Sequence, residues 1–169
     1  MEHSLESVYR DHAPALHRFL LRLTRNEADT HDVLQEIFVR LAKSPRMLEG
    51  IAAPRSFLFR IAHRLVIDRY RREQTQQQTA ELAAREISFS ADPEPAAGDA
   101  LWRRKSVASA LEALPLEQKA VVVLKVWEEM TFAEIATVLD ISTNTAASRY
   151  RYALDKLSPV LRPLHEDLP

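Results

Sequence analysis

Apolar residues recur every three or four positions along most of this 169-residue chain, the period of helices packed on one face. Leu5 and Val8 begin a stripe that resumes at Leu16, Phe19, Leu20 and Leu23, and Pro14 inside it predicts a kink or a split helix. Asn26 with Asp29 has the form of a helix N-cap, and Leu34, Ile37, Phe38 and Leu41 then supply the core face of a second helix, which ends at Ser44-Pro45. Pro54 suits the first position of a third helix, expected to run to about Glu73 with Leu58, Ile61 and Leu65 on its core side. Further on, Val107, Leu111 and Leu114 mark a helix and Pro115 opens another. Val121, Val122, Leu124, Val126 and Trp127 continue that core.

The pattern is sharpest between Thr131 and Leu157. Phe132, Ile135, Ala136 and Leu139 form one buried stripe, and Thr131 with Glu134 forms a capping box at its start. Asp140 suits a left-handed turn position, and Ser142 can cap the helix that follows. On that last helix Ala146, Tyr150, Ala153, Leu154 and Leu157 fall together at 100° per residue. Asn144, Ser148, Arg151 and Asp155 fall on another side, flanked by Thr145 and Tyr152, with Arg149 and Lys156 on a third edge. A helix-turn-helix of this form presents its second helix to the DNA major groove, with polar side chains reading bases and arginines holding phosphates. An ordinary amphipathic helix facing water has the same wheel.

Composition narrows the class. Two glycines against nine prolines, with 46% hydrophobic residues, favour an all-α fold over a hairpin-rich one. The absence of cysteine excludes disulfides and thiolate metal sites. No apolar run is long enough to span a bilayer and no signal peptide opens the chain, so a soluble cytoplasmic protein without a membrane partner is expected.

A formal net charge of −1 is unpromising for a nucleic-acid binder, but the charge is segregated. Residues 51–74 carry Arg55, Arg60, Arg64, Arg69, Arg71 and Arg72 against Asp68 and Glu73. Residues 75–100 carry Arg85 against Glu81, Glu86, Asp92, Glu94 and Asp99. On the third helix Arg60, Arg64 and Arg71 lie within about 40° of one another, a stripe able to track a phosphate backbone. Phe57, Phe59 and Tyr70 are interleaved with it, available for base stacking where exposed and for the core where not. The Gln-, Ala- and Pro-rich segment 75–100 lacks apolar periodicity and is expected to be a flexible linker, with Ile87 and Phe89 as possible docking points. Two small helical domains, 1–74 and 101–160, then follow, with a short tail at 161–169 too proline-rich for a further domain.

Three stretches together resemble the extracytoplasmic-function (ECF) class of bacterial sigma factors. Asp29-Thr-His-Asp32-Val-Leu-Gln35-Glu36-Ile-Phe38 is similar to the family's acidic helix. Pro54 to Arg72 is similar to its promoter-melting helix, and Ala110 to Leu157 to its C-terminal helix-turn-helix region. The resemblance implies a region 2-like domain at 1–74 and a region 4-like domain at 101–160. It implies docking of Asp32, Gln35 and Glu36 on the β′ clamp coiled coil of core RNA polymerase, and contact of the second domain with the β-flap. Recognition and melting of the −10 promoter element would fall to Arg60, His63, Arg64, Asp68, Arg69, Arg71 and Arg72. Reading of the −35 element would fall to Asn144, Thr145, Ser148, Arg149, Arg151 and Tyr152. The linker would thread the polymerase near the RNA exit path, and an anti-sigma protein would be a further partner. The chain departs from the family at Arg64, where Asn is common, at Asp140, where Gly is common, and at Asn144-Thr145-Ala146-Ala147, in place of Gly-Thr-Val-Lys.

The competing reading is a helix-turn-helix regulator that works without joining polymerase, but 1–74 lacks the strand–helix alternation of a receiver domain. An enzyme ranks lower. His3, His12, His17, His31, His63 and His165 contain no i, i+4 pair, and Asp29/Asp32 and Glu128/Glu129 are better placed to cap or solvate helices than to bind metal. No glycine-rich phosphate loop or serine-nucleophile motif is present, so no catalytic residue, metal or cofactor is expected.

Overall fold

The computed structural model describes the backbone of residues 4–83 and 107–166, and side chains over 4–75 and 107–161. The described residues are helical throughout, joined by short turns. Helices α1 (Leu5–Thr24), α2 (Glu27–Lys43) and α3 (Pro54–Ala83) form the first bundle. A short 3₁₀ turn at Pro45–Leu48 leads toward α3. Helix α4, described over 107–112, is followed by α5 (Leu116–Val126), α6 (Phe132–Leu139) and α7 (Thr143–Glu166).

Local capping chemistry sets most boundaries. The Asn26 side chain accepts from the Asp29 N–H at 3.2 Å, starting α2 after a two-residue turn from the end of α1. Thr131 and Glu134 complete a reciprocal capping box on α6. Asp140 ends α6 in the left-handed region at φ 57°, and the Thr145 N–H donates to Ser142 Oγ at 3.0 Å to start α7.

Several expectations need correction. Pro14 does not split α1, which is continuous from Leu5 to Thr24. Val8, Ala13, Leu16, Phe19 and Leu20 are buried on both sides of it, and that packing outweighs one missing backbone donor. Helix α3 does not stop near Glu73 but runs to Ala83, nine residues into the expected linker, because Gln, Ala and Glu are good helix formers and no Pro or Gly interrupts them. The tail, expected only to be too short and proline-rich for a further domain, continues α7 to Glu166. Val126 and Trp127 are 49% and 39% exposed and Leu154 37%, so none belongs to the core. Ile87, Phe89 and the rest of 84–106 lie outside the described residues.

Leu16, Phe19, Leu20, Ile37, Leu41, Leu58 and Phe59 centre the first bundle, with the Phe19 and Phe59 rings 5.0 Å apart. Val121, Val123, Leu124, Met130, Ile135 and Val138 fill the second. These two sets are continuous, because α3 packs on α6 and α1 packs on α5. Burial of apolar surface, the dominant favourable term in such packing, therefore extends across the boundary between the two bundles.

Candidate nucleic-acid and polymerase interface

Helix α3 sorts its side chains by face. Leu58, Phe59, Ala62, Leu65 and Val66 are buried in the core, which removes Phe59 as a stacking ring. Tyr70 is 46% exposed, and its hydroxyl accepts from Gln74 Nε2 at 2.9 Å. Arg64, Asp68, Arg71 and Arg72 are exposed and Arg60 half-buried, with the Arg60 guanidinium 5.7 Å from the Phe57 ring centre.

Arg69 departs from the expected role. Its guanidinium turns back to α2, pairing with Asp29 at 2.6 Å and Asp32 at 3.3 Å, and with Glu73 on its own helix at 3.7 Å. Three carboxylates engage one cation, so Arg69 ties α3 to α2 and is not a free phosphate anchor. His63 departs too. Its Nε2 is buried with no hydrogen-bond partner among the described residues, and the positive charges of Arg149 on α7 and Arg64 on α3 act on it.

On α7, Ala146, Ala153 and Leu157 are buried and Tyr150 packs on Phe132 with ring centres 5.7 Å apart, as the wheel requires. Asn144, Arg151 and Tyr152 are exposed, with Arg151 lying 5.3 Å over the Tyr152 ring. The remaining candidates are engaged locally. The Thr145 hydroxyl meets Ser142 Oγ at 2.8 Å, and Ser148 Oγ donates to the Thr145 carbonyl at 3.1 Å. Arg149 pairs with Glu117 of α5 at 2.6 Å, holding α7 to its own bundle.

On α2, Asp32, Gln35 and Glu36 are exposed on consecutive turns, with Glu36 paired to Arg40. The core stripe is Val33, Ile37 and Leu41, whereas Leu34 and Phe38, expected inside, are half-buried. Together with Tyr9, Gln35, Val39 and Ala42 they line an apolar groove beside the acidic residues. The Tyr9 and Phe38 rings meet edge to face at 4.7 Å within it. An apolar strip rimmed by acids suits docking of a basic amphipathic surface.

A polar seam joins the two bundles. Arg55 at the start of α3 donates to the Glu128 carbonyl at 2.8 Å and to Glu128 Oε2 at 3.0 Å, and the Glu128 side chain is 3% exposed. Arg64 reaches Asp140 in the turn of the helix-turn-helix at 3.4 Å. Arg25 pairs with Glu112, and the Arg22 guanidinium lies 4.9 Å over the Trp127 ring. The basic helix and the helix-turn-helix therefore contact each other, an arrangement that no local sequence pattern encodes.

Burial, with the positive charges of Arg149 and Arg64 adding to it, lowers the His63 pKa from 6.5 to about 4. His63 is neutral at pH 7. Between pH 6.5 and about 4 the unfolded chain binds a proton that the folded chain rejects, so the fold loses stability as pH falls through that window. The thermal midpoint should fall on acidification from pH 7 to 5, and His63→Gln should flatten that dependence.

Comparison with known proteins places this geometry. Residues 8–76 match Sigma-70 region 2 and residues 104–157 match Sigma-70 region 4. The ECF RNA polymerase sigma factor SigL of Mycobacterium tuberculosis is 32% identical over 164 residues, covering 95% of this chain and 90% of SigL. The chain belongs to the ECF sigma factors. Its function is that of an RNA polymerase sigma factor. SigX of Bacillus subtilis is similar at 24% identity, covering 99% of this chain and 89% of SigX. The ferric citrate uptake sigma factor FecI of Escherichia coli is 28% identical, covering 84% of this chain and 82% of FecI. Among solved structures, CnrH in complex with the cytosolic domain of CnrY matches at TM-score 0.64 and 26% identity, covering 94% of this chain and 88% of CnrH. The sigma factor RpoE in complex with the anti-sigma factor NepR from Bartonella quintana shares the fold at TM-score 0.69 and 19% identity, covering 88% and 91%. The region 2 match falls on α1–α3 and the region 4 match on α4–α7. No described helix is long and apolar enough to cross a membrane.

Proposed function

We propose that this ECF sigma factor docks on core RNA polymerase through Asp32, Gln35 and Glu36 together with the apolar groove beside them. Promoter DNA is then held at two points. Asn144, Arg151 and Tyr152 read the −35 element from the exposed face of α7, supported by Thr145, Ser148 and Arg149. Arg60, Arg64, Arg71 and Arg72 hold the −10 element along α3, with Tyr70 offered to an unstacked base. Arg69 and His63 act indirectly in this scheme, Arg69 by fixing α3 against the docking helix and His63 through its buried Nε2.

The observation that carries this reading is the order of one acidic exposed helix, one basic helix and one helix-turn-helix in a single chain. The close packing of α3 on α6 adds a step. Bundles in contact cannot reach two promoter elements at once, so engagement of polymerase and DNA requires the Arg55–Glu128 and Arg64–Asp140 contacts to open. Strand separation costs a few kcal/mol per unstacked step, and binding to polymerase and to the −35 element offsets it. The protein acts by binding alone, in the cytoplasm, and makes or breaks no bond. An anti-sigma protein is a further partner in this proposal, by analogy with the complexes of RpoE and CnrH.

Permanganate footprinting of the holoenzyme on a promoter tests the −10 assignment. Unpaired thymines should react with the wild-type chain and lose reactivity with Arg60→Ala/Arg64→Ala, while polymerase binding persists. Undiminished reactivity in that variant would overturn the assignment of α3.

A further inference from the structure

The turn between α1 and α2 brings together three side chains that the sequence keeps apart. His17 comes from α1, and Glu27 and His31 lie one turn apart on α2. His17 Nε2 is 3.2 Å from Glu27 Oε1, and His31 Nε2 is 3.3 Å from the same oxygen. The two imidazole rings are 5.3 Å apart, tilted at 55°. All three donor atoms lie within 4.8 Å of one another, and this is the group of that kind among the described residues.

We propose that His17, Glu27 and His31 form a binding site for a borderline divalent transition-metal ion of the zinc class. Two imidazole nitrogens and one carboxylate oxygen are a donor set suited to that class. The spacing fits as well as the chemistry. Bonds of about 2.0–2.1 Å at tetrahedral angles separate neighbouring ligand atoms by roughly 3.3–3.4 Å, close to the two observed nitrogen–oxygen distances. Small rotamer adjustments suffice to place an ion at the common focus, because Glu27 and His31 side chains are 61% and 64% exposed and open to solvent. Three protein ligands leave a fourth position for water, and entry needs no opening of the core.

The backbone supplies the arrangement. Glu27 and His31 share a helical face through their i, i+4 spacing, and Arg25 reverses the chain in a left-handed conformation at φ 55° to bring α1 alongside. An ion here would link α1 to α2 across their turn, at the end of the helix that carries Asp32 and Glu36. The linkage is independent of any role of those two residues.

Isothermal titration of the full, tag-free chain with zinc chloride at pH 7.5 is the test. One equivalent should bind with a dissociation constant of roughly micromolar or tighter. His17→Ala, His31→Ala and Glu27→Gln should each weaken binding by about tenfold or more. Cobalt(II) in place of zinc should give the intense visible bands of a tetrahedral site in the wild-type chain and not in the variants. Zinc should also raise the thermal midpoint of the wild-type chain alone, since an ion bound only to the folded form stabilises it. Glu27→Gln preserves side-chain shape, so it reports on ligation even if an alanine variant folds poorly. Absence of saturable one-to-one binding up to millimolar zinc overturns the proposal, leaving a carboxylate shared by two imidazoles. Undiminished affinity in Glu27→Gln together with the histidine variants overturns it equally, by placing the ion elsewhere.

Discussion

Charge reversal at Asp32 and Glu36 should abolish assembly with core RNA polymerase while leaving the helical content and thermal midpoint of the free chain nearly unchanged. Both side chains are exposed, at 63% and 48%, so neither contributes much to the core. Their local pairs are weak. Glu36 meets Arg40 on its own helix, and Asp32 shares Arg69 with the nearer Asp29. Exposed pairs of this kind contribute at most about 1 kcal/mol each. Placing two cations against a basic docking surface costs several kcal/mol, which corresponds to a loss of roughly a thousandfold or more in affinity. Fluorescence anisotropy of labelled chain titrated with core polymerase reads this directly. Unaltered binding would remove α2 from the docking surface.

Arg55→Ala should loosen the two bundles far more than Glu128→Gln. The Glu128 carboxylate is 3% exposed while Arg55 is 44% exposed. Removing the arginine strands a buried charge that water cannot reach, and Glu128 Oε1 already lacks a hydrogen-bond partner among the described residues. A fully buried pair broken this way loses about 3–5 kcal/mol, and the partial exposure of Arg55 lowers the expectation to about 2–3 kcal/mol. Glu128→Gln instead leaves an arginine that can turn to solvent and an amide that still accepts its hydrogen bond, at a cost of roughly 1 kcal/mol. Scattering should show a larger radius of gyration for Arg55→Ala at pH 7. Affinity for a single-stranded −10 oligonucleotide should rise as Arg64 is released from Asp140. Equal, small effects of the two substitutions would mean that the seam does not hold the bundles together.

Local chemistry was legible in the sequence; long-range contacts were not. The capping box of Thr131 and Glu134, the Asn26 cap and the left-handed Asp140 each depend on residues three or four apart, and the structure has all of them. The family followed from ordered motifs of the same local kind. Misjudgements arose where tertiary packing overrode a local rule. Pro14 is held inside α1 by buried neighbours, and Leu34 and Phe38 open onto a groove because Val33 takes the core position. Residues 74–83 continue α3 because helix propensity persists where apolar periodicity has ended.

Individual side chains were least legible. The family resemblance assigns Arg69 to DNA, although a wheel at 100° per residue places it about 180° from Arg60, on the core side of α3, and Asp29 and Asp32 on another helix capture it. Arg149 looks like a phosphate anchor until Glu117 is placed beside it. His17 and His31 share no helix, so no spacing rule pairs them, and only the α1–α2 turn does so. The seam from Arg55 to Glu128 spans 73 positions in sequence.

Run-off transcription is the most direct test that this chain gives polymerase its promoter specificity through two-point contact. Core polymerase alone should yield no defined transcript from a promoter bearing matched −35 and −10 elements, and addition of this chain should direct a single start site. Asp32→Lys/Glu36→Lys should abolish that transcript, and Arg60→Ala/Arg64→Ala should retain promoter binding without it. Failure to direct any start site, with tight binding of duplex operator DNA by the chain alone, would contradict the account.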